Sequence, residues 1–182
     1  MANIDIEFEL SSKGIDKAIK QLEQYKKDLL TKIETLIDRL ADVGIAMAEM
    51  QTGKWHGFIV FEKQKESAVD GYALSLIGRD ADPNGVYISW KTGKDTEDGY
   101  NVSPLLLAEF GSGFLSNPRN VAGVGQGTMP NAKGHANDPN GWMWVDSEGF
   151  HKSIGEEPTM PMYFASLEIQ GKFDQIVREV FK

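Results

Sequence analysis

The fold is decided by residues 11–50, which read SSKGIDKAIKQLEQYKKDLLTKIETLIDRLADVGIAMAEM. Apolar side chains recur there at steps of mostly three and four, which places them on one face of an α-helix. Ser11 or Ser12 provides the N-terminal cap. The stretch therefore predicts one helix of about 40 residues, about 55 Å long at about 1.5 Å per residue. Its apolar stripe consists of Ile15, Ile19, Leu22, Leu29, Ile33, Leu36, Leu40, Val43, Met47 and Met50.

This helix is longer than a compact domain can cover. A chain of 182 residues fits one domain, so we expect a single domain over 1–182 from which part of the helix projects. Packing of the stripe on the core of the same chain is the simpler interpretation. Packing against a partner helix is the second, although Lys26 and Gly44 interrupt the stripe or lie beside it.

Around the helix, the sequence reads as strands and turns. Strict alternation of apolar and acidic residues predicts a strand over 3–10, and shorter β-like runs follow at 57–61, 72–77, 86–90 and 142–145. Asp80 to Gly85 has the composition of a turn. Residues 92–99 read as a polar loop, 104–110 as a short apolar element, and 163–181 as a closing helix.

Residues 111–141 are rich in Gly, Asn and Pro and predict a long mobile loop, because they bury too little apolar surface to offset the entropy of ordering. The predicted fold class is therefore α+β. A long N-terminal helix packs on an antiparallel β-sheet, with a long glycine-rich loop and a C-terminal helix.

Charge and composition narrow the classes of function. The net charge is −8 and cysteine is absent, and the pI is near 4.9. Tight nucleic-acid binding needs clustered Lys and Arg, so DNA is expected only as passing cargo along acidic walls. No apolar run is long enough for a bilayer, so we expect no membrane partner and a chain that is made and stays in the cytoplasm.

The sequence contains few patterns that are typical of catalytic, phosphate-binding or metal sites. The histidines, His56, His135 and His151, lack the close spacing of metal ligands. The glycines of 123–127 lack the lysine of a phosphate-binding loop, and neither a nucleophile elbow nor a cysteine nucleophile is present. We expect no enzyme activity, no cofactor and no metal.

The tryptophans leave two interpretations open. Core or interface positions are the common role for Trp55, Trp90, Trp142 and Trp144. Stacking on sugar rings is the alternative, and it would make the chain a carbohydrate-binding or cell-wall-active phage protein.

Two segments carry a resemblance to a known family. The first is Leu107-Ala108-Glu109-Phe110-Gly111-Ser112-Gly113, followed after the glycine-rich stretch by Gly141-Trp142. The second is His151-Lys152-Ser153-Ile154-Gly155, which continues through Pro158 and Pro161. Their order and spacing resemble the tail-component, or tail-completion, proteins of long-tailed phages, typified by gene product ten of HK-97-like phages. The chain departs from that family at Met160 and at Met162-Tyr163, where a basic residue and Phe are common.

The resemblance implies a structural virion protein of the phage neck or tail, assembled in the bacterial cytoplasm. It implies a ring of identical subunits that joins head and tail, with the head connector or closure protein and the tail tube or terminator protein as partners. Tail terminator, head closure protein and minor capsid protein are the alternatives within this class.

The motif residues then form an assembly scaffold. We expect Phe110 to anchor in the core, Gly111 to Gly113 to turn sharply with positive φ, and the following loop to reach a neighbouring subunit. Pro158 and Pro161 should set the start of the last helix near Met162, and His151 should bond locally.

Overall fold

The computed structural model of the chain describes residues 11–68, 71–92, 96–113, 142–146 and 149–182. The helices in these ranges are α1 (Ser12–Met50), the 3₁₀ turn Gly53–Trp55, α2 (Pro104–Phe110) and α3 (Pro161–Val180). The strands are β1 (Ile59–Ala68), β2 (Gly71–Asp80), β3 (Val86–Thr92), β4 (Thr96–Val102), β5 (Ser112–Gly113), β6 (Trp142–Asp146), β7 (Gly149–Ser153) and β8 (Gly155–Glu156). They confirm the predicted α+β class.

Helix α1 is the predicted long helix, at 39 residues. The Ser11 hydroxyl caps it by accepting from the amide of Gly14 at 3.2 Å, which satisfies a backbone donor that the first turn leaves without a helical partner. Its C-terminal part carries the buried positions Leu40, Ala41, Gly44 and Ala48. Leu40 belongs to the predicted stripe, whereas Ala41, Gly44 and Ala48 do not, and the stripe residue Met50 is 76% exposed. The core-packing interpretation therefore holds for only part of the stripe.

Helices α1 and α3 pack side by side and antiparallel. Gly44 lies against Ile169, where an added Cβ would stand 2.6 Å from the Ile169 Cδ1 atom. Further along, Arg39 forms an ion pair with Glu179. The pKa of Glu179 is lowered from its ordinary value of 4.5 by the side-chain amide of Gln175 and then by Arg39.

The strands pair as antiparallel two-stranded hairpins, β1 with β2, β3 with β4 and β6 with β7, and β5 pairs with β8. The β1–β2 hairpin lies along α1, where the ammonium group of Lys63 contacts Asp38 at 2.7 Å and Asp42 at 2.8 Å. The Lys63 ammonium donates hydrogen bonds to the carboxylates of Asp38 and Asp42, and these bonds raise the pKa of Lys63 above its ordinary 10.5. Lys65 pairs with Glu34 in the same way.

The core lies where the C-terminal end of α1, the start of β1, α2 and the first turn of α3 meet. Leu107 and Val102 are its largest fully buried apolar side chains apart from proline. The cluster of buried residues is Ala48, Trp55, Ile59, Phe61, Val102, Leu107, Ala108 and Ala165. Since α2 supplies two of these residues, the short apolar element predicted at 104–110 is confirmed as a core helix.

Two predicted boundaries were wrong. Residues 96–102 were expected within or beside a polar loop, yet Thr96 to Val102 form β4, paired from Thr96↔Thr92 to Val102↔Val86. Ser112 and Gly113 were assigned to the glycine-rich loop, yet they form β5. In both cases strand pairing outweighs weak local strand propensity, with the preceding strand β3 for β4 and with the distant strand β8 for β5. The predicted strand at 3–10 and residues 114–141 of the predicted loop lie outside the described residues.

The turn predicted at Asp80 to Gly85 is present between β2 and β3. The carboxylate of Asp82 accepts from the amide of Asn84 at 2.9 Å, and Gly85 has a φ of +74°. A Cβ at Gly85 would lie 2.1 Å from the carbonyl oxygen of Val102. Glycine is therefore required here both for the backbone angle and for the close approach.

Candidate functional site

The two motif segments, far apart in sequence, meet in one place. The carboxylate of Glu109, at the end of α2, accepts from the amide of Met162 at 2.8 Å and from the amide of Tyr163 at 3.1 Å. These are the second and third residues of α3, whose first amides have no helical acceptor. Glu109 therefore caps α3 from another element, and its negative charge lies at the positive end of the helix dipole.

The backbone of α2 makes a second set of bonds to the same segment. The carbonyl oxygen of Ala108 accepts from the amides of Thr159 at 2.8 Å and Met160 at 2.9 Å. Met160 has a φ of +52°, a left-handed conformation that is uncommon for a residue with a side chain. Pro161 then occupies the first helical turn, where its lack of an amide costs nothing. The start of α3 is thus fixed by α2.

Gly111 ends α2 with φ +68° and ψ −163°, and its amide donates to the carbonyl of Leu107. A Cβ at this position would lie 2.3 Å from the carbonyl oxygen of Glu156 and 2.9 Å from Cδ of Pro158. The backbone of the first motif segment therefore packs directly on the backbone of the second. The sharp turn with positive φ predicted at Gly111 is confirmed.

Immediately after Gly111, β5 pairs with β8, with Ser112 opposite Glu156 and Gly113 opposite Gly155. Ser112 is buried, and its hydroxyl accepts from the amide of Glu156 at 3.1 Å. The Glu156 carboxylate accepts from the indole Nε1 of Trp55 at 2.8 Å. Because Trp55 is a core residue, this hydrogen bond fixes the contact between the two segments to the core.

Lys54 completes this arrangement. Its ammonium group lies 2.9 Å from the second carboxylate oxygen of Glu156 and 4.9 Å from the centre of the Trp55 ring. We name the whole contact region, residues 104–113 with 154–168, the motif junction. Its bonds hold two chain segments in a fixed relation.

The structure brings most of the predicted site residues into the motif junction: Glu109, Gly111, Ser112, Gly113, Gly155, Pro158 and Pro161. Phe110 was expected in the core, and this was wrong. It is only half-buried, whereas Leu107 and Ala108 of the same helix enter the core. Periodicity explains the difference, since Leu107, Ala108 and the apolar Phe110 cannot all share one narrow face of a seven-residue helix.

The remaining predicted residues are elsewhere. Trp142 and His151 belong to the β6–β7 hairpin, in which Trp142 pairs with Ser153 and Trp144 with His151. Gly141 lies outside the described residues. The local bonding expected for His151 stays a prediction.

Sequence reasoning missed the roles of Trp55, Glu156 and the Ala108 carbonyl. Trp55 and Glu156 are 101 positions apart, and no spacing rule connects residues at that distance. Trp55 is buried, so the core interpretation holds for this tryptophan and it is not part of an exposed sugar-stacking surface.

The junction offers little to a substrate. Within the described ranges, no buried side-chain nitrogen or oxygen lacks a hydrogen-bond partner. In the same ranges, no group of three or more His, Asp or Glu side chains is arranged to hold a metal ion. The hydrogen-bonding groups of the junction are thus used to position the backbone.

The other end of the molecule presents a different surface. Residues 21–28 of α1 are all exposed, and they cover more than two turns, so no side of the helix is covered there. Ile15, Ile19, Leu22 and Tyr25 are 44 to 52% exposed. The C-terminal end of α3 reaches only as far as Lys32, whose ammonium group lies 5.8 Å from the Phe181 ring. We name residues 12–28 the arm. Ala18 within it is buried, so one side of the helix is covered at this position, and the projection expected from the helix length stays a prediction.

Comparison with known proteins gives no relative, since no family model, curated protein or solved structure matches the chain. The resemblance to phage tail-completion proteins therefore rests on the two motif segments. Among the described helices, none is long and apolar enough to cross a membrane.

Proposed function

We propose that the chain is a structural subunit of a long-tailed bacteriophage that joins head and tail as part of a ring. The observation that carries the proposal is the meeting of the two resembling segments in the motif junction, where Glu109 caps α3 and Gly111 packs on Glu156. Glu109 and Met162 are 53 positions apart in sequence, so this contact agrees with a shared structural role for the two segments.

The nature of the junction supports a structural role over a catalytic one. Ser112, Glu109 and Glu156 each have their polar atoms engaged by backbone amides or by Trp55 and Lys54. A catalytic group needs to reach a substrate, whereas these groups are committed to the fold. A firmly held junction suits a subunit that transmits contacts between neighbours.

The arm supports assembly. Ile19 and Leu22 are about half exposed, and large exposed apolar side chains are typical of interaction surfaces. They support the second interpretation of the stripe, which is packing against a partner. The net charge of −8 suits a ring through which DNA passes without sticking.

The proposal is tested by deleting the gene from the phage that carries it and imaging the lysate by electron microscopy. Filled heads beside unattached tails are expected, and expression of the wild-type chain in trans should restore whole particles. Abnormally long tails would assign the chain to tail termination instead. Intact infectious particles without the gene would overturn the structural role and favour a carbohydrate-binding or cell-wall-active protein.

The same complementation can be run with a matched pair of glycine variants. Gly111→Ala disrupts the motif junction, whereas Gly171→Ala adds a methyl group where nothing lies within 4 Å. Only Gly111→Ala is expected to fail to restore joined particles.

A further inference from the structure

The side of the arm that lies roughly opposite the buried Ala18 is basic. Lys13, Lys17, Lys20 and Lys27 follow one another there at steps of four, three and seven residues. Because an α-helix has about 3.6 residues per turn, these steps keep the four side chains on one face. All four are exposed, and we name them the lysine row. At about 1.5 Å per residue, the row is about 21 Å long.

The lysine row is not used to hold the fold together. The ion pairs among the described residues involve other basic side chains, which are Arg39, Lys54, Lys63, Lys65 and Arg79. In the same part of the chain, no ion pair joins a lysine of the row. This holds although Asp16 and Glu23 lie four and three residues from Lys20, a spacing at which ion pairs form on a helix. The four ammonium groups are therefore accessible to a partner.

The composition of this face favours one kind of partner. Gln24 lies on the same face between Lys20 and Lys27, whereas the large apolar side chains of the arm, such as Leu22, lie on another face. Interfaces between proteins have a less charged centre from which lysine is depleted. Interfaces with nucleic acid are polar and strongly positive. The lysine row therefore fits phosphate groups better than it fits the surface of another protein.

We propose that the lysine row of each copy contacts the phosphate backbone of the double-stranded DNA that passes through the ring. Phosphates follow one another at about 3.4 Å along each strand, so a row about 21 Å long lies beside about six of them. Lysine carries a point charge on a flexible stem, and contacts to phosphate carry no base sequence. The inference rests on the proposed function, for which it names the residues that contact the DNA.

The charge of the whole chain keeps this contact weak. The net charge is −8, so the surface beyond the row repels DNA, and one subunit supplies the four phosphate contacts of its row. Several subunits around one DNA add their contacts, because each further contact is made within the same complex. The DNA is therefore held within the ring and can still move through it.

The test is the fluorescence anisotropy of a labelled DNA duplex of mixed sequence, titrated with the purified full-length chain at several salt concentrations. Wild type is expected to bind, and the logarithm of its affinity should fall linearly with the logarithm of the salt concentration. For four phosphate contacts, the loss between about 50 and 200 mM salt should be about 100-fold. A duplex of unrelated sequence should bind equally well.

Two double variants separate the row from the net charge. Lys17→Gln with Lys20→Gln removes two charges of the row and should reduce the slope of the salt dependence by about two. Lys172→Gln with Arg178→Gln removes the same charge from exposed positions of α3 and should bind as wild type does. Circular dichroism checks that both variants keep their helices.

Three results would overturn the proposed contact. They are no binding of the duplex by wild type at about 50 mM salt, an equal loss of affinity in the two double variants, and binding of a labelled polyglutamate peptide as tight as that of the duplex. The last result would assign the row to an acidic protein surface. Unjoined heads and tails after gene deletion would still support the proposed function, so the two failures are distinguishable.

Discussion

Substitution of Gly111 by alanine is the sharpest perturbation of the motif junction. The residue has φ +68° and ψ −163°, a region that is populated essentially by glycine and costs any other residue about 1–3 kcal/mol. Its new Cβ would stand 2.3 Å from the Glu156 carbonyl oxygen and 2.9 Å from Cδ of Pro158. Both neighbours are held rigidly, one by strand pairing and one by its ring.

The steric clash of the new Cβ adds to the cost of the backbone conformation. Overpacking of a rigid contact costs about 1–3 kcal/mol, so Gly111→Ala is expected to lower the free energy of unfolding by about 2–6 kcal/mol in total. A domain has about 5–15 kcal/mol of stability. The variant should therefore be strongly destabilised and, at the upper end, unfolded.

Urea unfolding followed by tryptophan fluorescence measures the effect, because the buried Trp55 bonds to Glu156 inside the junction. Gly171→Ala is the matched control. It lies in α3 with open space around it, and alanine should stabilise the helix by about 0.8–1 kcal/mol. If Gly111→Ala unfolded within about 1 kcal/mol of wild type, the close approach of the two motif segments would be wrong.

Three further changes test the contacts around the junction and the helix pair. Glu109→Ala removes the cap of α3 and should cost about 0.5–2 kcal/mol in urea unfolding. Trp55→Phe keeps the ring but removes the indole donor to Glu156, and should cost about 1–3 kcal/mol in the same assay. Glu179 has a lowered pKa, so its stabilisation is present above pH 4.5 and is lost as pH falls through the lowered pKa. Glu179→Gln should therefore be less stable than wild type at pH 6, and the difference should shrink as the pH falls below 4.5, as followed by thermal unfolding; a constant difference would refute this linkage.

Helix α1 was predictable because its signal is local and long. Ten apolar positions over 11–50 repeat at helical spacing, and Ser11 marks the start. The end of β1 was missed for the opposite reason. The predicted β-like run ended at residue 61, yet β1 continues to Ala68. Its lysines Lys63 and Lys65 pair with Glu34, Asp38 and Asp42 on α1. Lys63 and Asp38 are 25 positions apart in sequence, and Lys65 and Glu34 are 31 positions apart, so tertiary packing alone brings these pairs together.

The junction was only half predictable. Its glycines and prolines stand out in the sequence because few residue types tolerate sharp turns and helix starts. The partners of those residues do not stand out. That Glu109 reaches the amides of α3, 53 positions later, depends on how α2 packs on the core, and no single-sequence pattern carries that information. Strand β4 was missed for another reason: Thr96 to Val102 contain few apolar residues, and they gain their order by pairing with the preceding strand β3.

The direction of the arm follows from the packing of the two long helices. Gly44 lets α3 approach α1 closely at Ile169, and Arg39 with Glu179 fixes the pair further along. Because α1 is one continuous helix from Ser12 to Met50, any rotation at Gly44 is carried along about 24 Å to the near end of the arm. The α1–α3 contact therefore sets where the arm points, and the motif junction sets where the first turn of α3 lies.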